Sequence, residues 1–429
     1  MERYAEYKDS GVEWIGEIPA GWDVAPLWSV ERVVAGATPK NEELNWGGSV
    51  PWIGPADYAD DSHTVSTGAR SITEKGLDSC GAQLVPAGSV IVSNRAPIGR
   101  VAIAANALCT NQGCKSLIQQ VSAICQDYLY WYLFVQTAPL NALGRGTTFI
   151  ELSSFDLAHF KMPFPSLDEQ RAIAAYLDEK TTEIDGLIAD VERSIELLQE
   201  YRTSIISEAV TKGLDPDAPM KDSGVEWIGE IPAGWKTRRI KQVAKLRTGK
   251  TPPTDEGLYF DGDLPWFTPG DLQGFEALRS ERNVSEAALK DGMVEVIPCG
   301  STLLVGVGYS TGKSAIATCD CCTNQQLTAL IPVAIGSRYL AYAISVLGRE
   351  MLSLATFNRV PLINNAFVGN LCIPAPPLVE QHRIATYLDE KTAAIDSLVA
   401  DKRATIDRLR EYRKSLISEA VTGAFKAPS

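Results

Sequence analysis

The chain has 429 residues, 45% of them hydrophobic, with 40 basic and 53 acidic side chains and a formal net charge of −13. That is enough apolar mass for two or three domains with proper cores, and no apolar run approaches the roughly 18 residues of a membrane span. The start MERYAEYKDS is neither a secretory nor a transit signal, so a soluble cytoplasmic protein is expected. Nine irregularly spaced cysteines and only three histidines, His63, His159 and His382, argue against a disulfide framework and a zinc site.

Lys8 to Trp22, KDSGVEWIGEIPAGW, opens the chain as an extended, turn-rich segment. Gly11, Gly16, Pro19 and Gly21 punctuate it, and Trp14, Ile15, Ile18 and Trp22 can anchor it to a core. It returns letter for letter at Lys221 to Trp235. A docking role, not chemistry, is expected of residues 1–22 and again of 214–235.

Residues 23–165 read as a globular domain with short β-rich runs between Gly, Pro and Asn signals. SVIVSNRAPIGRVAIA predicts two strands about a Pro-Ile-Gly turn. Tyr128 to Val135, YLYWYLFV, is a short aromatic helix or a buried strand. Segment 236–377 repeats this plan more loosely. Pro51-Trp52-Ile53 answers Pro265-Trp266-Phe267, Asp57 answers Asp271, and Thr110-Asn111-Gln112 answers Thr323-Asn324-Gln325.

Proline-rich MPFPSLDEQ and IPAPPLVEQ lead into two helical segments, 166–213 and 378–429, since proline is tolerated before a helix but not inside it. Glu169 to Thr211 and Glu380 to Thr422 share 27 of 43 positions without a gap. Leu177, Ile184, Val191, Leu198 and Ile205 fall at seven-residue steps, with Leu187, Ile188 and Ile195 widening the stripe. Leu388, Ile395, Leu409 and Leu416 keep that register, broken once at Lys402. Each copy predicts a helix of roughly 60 Å whose apolar seam needs a partner. The economical partner is the other copy, antiparallel or nearly so; a pair of ordinary core helices is the alternative. KGLDPDAPM, rich in Pro and Asp, ends the first helix. The expected fold is α+β: two homologous globular domains separated by two long helices that form an antiparallel coiled coil, a pseudo-two-fold internal repeat.

Charge follows this plan. Segment 166–213 holds 5 basic against 11 acidic residues, whereas 236–377 holds 14 against 12. The acid is concentrated in helical and linker parts, so the total does not exclude DNA binding but predicts weak non-specific affinity.

Motifs for catalysis fail on inspection. GVGYSTGKS at Gly306 to Ser314 has Val307 where a phosphate-binding loop needs glycine, and its Gly312-Lys313 aligns with Gly99-Arg100 as a strand-edge turn. Thr251-Pro252-Pro253-Thr254 lacks the polar lead and the aromatic of an amino-methyltransferase motif. Three scattered histidines make a nucleophile triad improbable. No catalysis, no bound cofactor and no metal are expected of this chain alone. The globular domains instead carry loops that mix basic, amide, hydroxyl and aromatic side chains. Asn94, Arg95, Arg100, Arg145, Thr147 and Thr148 are the candidate DNA contacts in the first. Lys250, Thr251, Tyr309, Lys313, Asn358, Arg359 and Asn364 are those in the second. Arg and Lys suit guanine edges and phosphates, and Asn suits adenine; solvated loop residues are the bland alternative.

The Lys8–Trp22 box, the Pro-rich lead into EQRAIAAYLDEKTTEID, the EYRTSIISEAVTKG end and their duplication resemble the specificity subunit of type I restriction–modification enzymes (the HsdS family). The resemblance spans essentially the whole chain. It implies that 23–165 and 236–377 are target recognition domains, each reading half of a bipartite double-stranded DNA sequence, with the two helices setting the spacer. It implies as partners two modification subunits, which methylate adenine N6 with S-adenosylmethionine, and restriction subunits that use ATP and magnesium. A two-module scaffold or adhesin with a coiled-coil rod and a self-contained restriction–methylation enzyme are the other readings. The lack of a signal counts against the former and the missing enzymatic motifs against the latter.

Overall fold

The computed structural model describes residues 2–59, 62–95, 97–146, 150–253, 257–354, 356–357 and 361–428, with the backbone alone at 349–350, 352–354, 356–357 and 361–362. The chain divides into two compact units, Met1–Glu192 with Ala404–Ser429, and Arg193–Arg403. The division runs through the long helices: each unit holds one globular module and about half of each helix.

The two modules share one topology. In the first, a five-stranded sheet runs in the order Glu31–Ala35, Cys114–Gln119, Val90–Ser93, Val101–Ala104, Thr64–Val65, antiparallel except for the last, parallel pairing. In the second, Ala244–Thr248, Leu327–Pro332, Thr302–Val305, Ser314–Ala317 and Glu276–Ala277 repeat the order and the polarity. A three-stranded sheet stands beside each. Trp46–Ile53 lies between Arg70–Ile72 and Cys109–Thr110, and Phe260–Phe267 lies between Arg282–Val284 and Cys322–Thr323. The expected hairpin in SVIVSNRAPIGRVAIA is the Val90–Ser93 and Val101–Ala104 pair. YLYWYLFV settles as a helix, Gln126–Phe134, buried on nearly every side, which is why it carries no periodic stripe.

The long helices are Leu167–Lys212 and Leu378–Thr422. Ser166 starts the first with a reciprocal cap: its hydroxyl oxygen accepts from Glu169 N at 3.4 Å and its own N–H donates to Glu169 Oε2 at 3.3 Å. Within each unit the helix halves run antiparallel. In the first unit Arg413 faces Asp185 and Arg410 faces Glu192, the numbers moving in opposite directions; in the second Arg202 faces Asp396. Leu177 and Ile184 pack in one core with Leu416 and Ile417, and Ile205 and Ile206 in another with Leu388 and Ile395. Val191, Leu198 and Leu409 are half-buried.

Leu187 departs from the expected stripe and is 53% exposed. A single helix partner covers a narrow seam, and Ile188, one turn beyond Ile184, occupies it in place of Leu187. The break at Lys402 is bridged by Val399 and Ile406, which are buried while the lysine stays half-exposed.

The repeated Glu-Gln pair ties each module to its helices. Glu169 Oε1 accepts from Trp22 Nε1 at 3.3 Å, and Glu380 Oε2 from Trp235 Nε1 at 2.8 Å. The buried amides of Gln170 and Gln381 accept from the backbone N–H of Cys125 and Gly336, at 2.8 and 2.7 Å, just before the module helices begin. Tyr128 then donates to the carbonyl of Val421, and Tyr339 to that of Val210, so each module also grips the C-terminal end of the opposite helix. No helix among the described residues is long and apolar enough to cross a membrane.

Candidate nucleic-acid interface

Turns beside the three-stranded sheet of each module hold matching polar side chains. Asp57 and Asp271 fix matching turns. Asp57 accepts from the N–H of Gly54 and of Ala69, both at 2.7 Å; Asp271 accepts from Thr268 at 2.6 Å and Glu281 at 2.8 Å. Trp52 Nε1 donates to the Ala37 carbonyl at 2.9 Å and Trp266 Nε1 to the Lys250 carbonyl at 3.0 Å. These bonds tie a polar segment to each sheet, and its threonine, Thr38 or Thr251, meets Gln112 or Gln325. The shared Pro-Trp and Thr-Asn-Gln strings of the sequence are therefore the two sides of one repeated patch.

The residues proposed from sequence fall into distinct environments. Asn94 is fully buried: its amide donates to Glu151 Oε1 at 2.8 Å, and among the described residues its Oδ1 has no partner. Arg95 grips the other oxygen of Glu151 through Nε at 3.1 Å and Nη2 at 2.9 Å. Lys115, buried behind them, lies 3.8 Å from Glu151 Oε1, and burial pulls its ammonium below the usual lysine range against the pull of that carboxylate. Arg145 and Glu151 pair through their backbones, and the Arg145 guanidinium, largely in solvent, reaches Asp156 at 3.3 Å. Arg100 is half-buried and donates to the Pro55 carbonyl at 3.3 Å. Asn94, Arg95 and Arg145 are thus brought together around Glu151.

In the second module Lys250 pairs with Glu295 at 2.8 Å, and Arg247 holds the other oxygen of that carboxylate at 3.3 Å. The Glu295 carboxyl is held below the usual range, first by its hydrogen bond from Lys250. Tyr309, 89% exposed, and Lys313 stand on the turn before strand Ser314–Ala317. That turn packs its Gly312 against the backbone of Gly348, leaving no space for a Cβ. Asn364 caps a short helix, accepting from Phe367 N at 2.8 Å. Thr147, Thr148, Asn358 and Arg359 lie outside the described residues.

Sequence reasoning passed over Arg70 and Arg282. Each lies over an aromatic ring on its three-stranded sheet, Trp46 at 3.3 Å and Phe260 at 3.6 Å from the ring centroid. The repeat was the signal that could have found them, since each follows the Asp57 or Asp271 turn, and the N–H of the residue before each donates to that aspartate. Among the described residues no cluster of three or more His, Cys, Asp or Glu is arranged to hold a metal ion.

A module built twice, with one tyrosine, one tryptophan and one glutamine repeated at each junction with paired helices, defines a duplicated recognition scaffold. The chain belongs to the family of type I restriction modification DNA specificity domains, whose model matches it twice, over 19–196 and 232–408. It is 27% identical to the type I restriction enzyme MjaIX specificity subunit of Methanocaldococcus jannaschii, over 98% of this chain and 96% of that one. It is 21% identical to the EcoDI specificity subunit of Escherichia coli over 70% of each. Its fold resembles a chain solved in work on complex assembly and conformational transition of the type I R-M system, with a TM-score of 0.74, 19% identity and 95% and 99% of the two chains covered. The HsdS subunit from Thermoanaerobacter tengcongensis aligns with a TM-score of 0.54 at 19% identity, over 95% and 98%.

Proposed function

We propose that this chain is the sequence-specificity subunit of a type I restriction–modification complex. Each globular module reads one half of a bipartite double-stranded DNA target, and the paired helices set the gap between the halves. The observation that carries the reading is the duplication itself. Two modules share a frame, while the polar loops on that frame differ. Leu152 N donates to the carbonyl of Asn94 and Ile363 N to that of Gly306, so Gly306, Val307 and Leu362 stand where the first module has Asn94, Arg95 and Glu151. One frame with two different loop surfaces suits two different half-sites.

The chain acts without catalysing. Two modification subunits bind it and methylate adenine with S-adenosylmethionine, and restriction subunits that use ATP and magnesium complete the cleaving assembly. The target adenine leaves the stack to reach the methyltransferase pocket, so the modules read around it. Much of the phosphate grip comes from those partners, which fits a chain of net charge −13. The complex works in the cytoplasm.

The test is co-expression with a modification subunit, followed by sequencing of methylated adenines in the host DNA. A two-part motif with a fixed gap is the expected result. No methylation from an assembled complex supplied with cofactor would overturn the reading.

A further inference from the structure

We infer that Arg70 and Arg282 are a matched pair of DNA contacts, one in each module. The inference rests on the DNA-reading role above and names residues for it. In both modules the arginine pairs across the strands with a tryptophan, Arg70 with Trp52 and Arg282 with Trp266. In both, the ring under the guanidinium meets that tryptophan edge to face: Trp46 with Trp52 at 5.0 Å and 89°, Phe260 with Trp266 at 5.8 Å and 80°. In both, the residue before the arginine is pinned by the turn aspartate, through Ala69 N to Asp57 Oδ1 and Glu281 N to Asp271 Oδ1. The loops around them have diverged, yet the arginine, the ring and the aspartate are kept.

Several cations of the two modules are engaged by acidic side chains. Arg95, Arg145, Lys250 and Arg247 each lie within ion-pair distance of a carboxylate. Arg70 and Arg282 are exposed, and among the described residues neither has a carboxylate within 4.0 Å. Stacking uses the face of a guanidinium and leaves its in-plane N–H donors directed outward, in a fork that matches a phosphate or the O6 and N7 edge of guanine. The ring also restrains the side chain before any ligand arrives, so little rotamer freedom is lost on contact. An unpaired, oriented guanidinium on each of two DNA-reading modules is a contact poised for an anionic or guanine acceptor.

The experiment measures binding of the complex of this chain with its modification subunits to a library of duplexes, for wild type and for R70A, R70K, R70M, R282A, R282K and R282M. R70A is expected to weaken cognate binding about 5- to 150-fold, the range for one good arginine contact, with R282A acting on the other half-site. A guanine contact shows as relaxed preference at one position of one half-site that lysine does not restore. A phosphate contact shows as uniform weakening, partly restored by lysine, with the salt slope lower by about one. R70M and R282M keep the ring covered without the charge, and are expected to bind as weakly as the alanine variants while melting like wild type. Full binding by R70M and R282M would show that the arginines only pack the rings and would overturn the inference. So would wild-type binding by R70A and R282A. A wild-type complex with no sequence preference would instead overturn the functional reading beneath it.

Discussion

Arg202 donates through Nε to Asp396 Oδ1 at 3.0 Å, joining the two long helices within the second unit. The internal repeat returns the same pair with the helices exchanged: Arg413 Nε lies 3.0 Å from Asp185 Oδ1 in the first unit. Asp185 and Asp396 are equivalent positions of the two helices, as are Arg202 and Arg413. Only an antiparallel pairing lets each helix donate to the other at matching points, so the duplicated sequence and the pairing direction are one fact.

The two pairs are not equal in environment. Arg202 is a quarter exposed, but the Arg413 side chain is 13% exposed and lies over Trp131 and Phe134, at 5.8 and 5.3 Å. An exposed ion pair contributes about 0–1 kcal/mol, whereas a desolvated guanidinium on aromatic rings contributes more. R202A is therefore expected to destabilise by less than about 1 kcal/mol and R413A by about 2 kcal/mol, read from denaturant midpoints. Equal losses would show that the rings under Arg413 add nothing.

Trp22 and Trp235 make a second matched pair, each 2% exposed and each bonded to the glutamate at the start of a long helix. Removing a buried tryptophan destabilises by about 3–5 kcal/mol. W22A and W235A should each fall in that range and raise protease sensitivity in their own unit. W22F, which keeps most of the packing and loses one hydrogen bond, should fall by about 1–2 kcal/mol. A W22A variant as stable as wild type would remove the repeated KDSGVEWIGEIPAGW segment from the architecture.

Much of this was legible in the sequence because it depends on local pattern. Helix positions follow from heptads and proline, the strands around Gly99 from a turn signal, and the module order from the repeat. What was not legible depends on long-range pairing. Asn94 reads as a loop amide, but only the fold brings Glu151 against it and closes it off from solvent. Lys250 reads as a free cation until Glu295, far along the chain, meets it. Arg70 carries no local signal of its role, since its ring lies on the neighbouring strand. The division of each long helix between two units was hidden for the same reason, since helical periodicity says nothing about which module each half packs against.

Glu31 predicts a pH dependence. Its side chain is buried, Oε1 accepts from Gln126 Nε2 at 2.7 Å, and Oε2 has no partner among the described residues. Burial pushes its carboxyl up from 4.5 to about 7, with the Gln126 bond opposing. A folded-state value above the unfolded one means that stability is fully present below about pH 4.5 and is lost as pH rises through about 7. E31Q keeps the shape without the charge, so it should match wild type at about pH 4 and exceed it at pH 8 by at most about 3 kcal/mol. Stability curves of wild type and E31Q that stay parallel from pH 5 to pH 8 would sink the assignment.

The spacer role predicts how the DNA target changes when the helices do. Glu192 and Arg403 are where the two units meet along the sequence. Inserting about seven residues, two helical turns, after each of them adds about 10 Å to both helices and keeps the apolar seam in phase. At 3.4 Å per step that is roughly three base pairs. Methylome sequencing of the assembled complex should therefore return the same two half-sites with a gap longer by about three. Replacing 236–377 by a second copy of 23–165 should instead leave the gap unchanged and make the target an inverted repeat. Altered half-sites with an unchanged gap after the insertion would take the spacing role away from the helices and assign it to the modules.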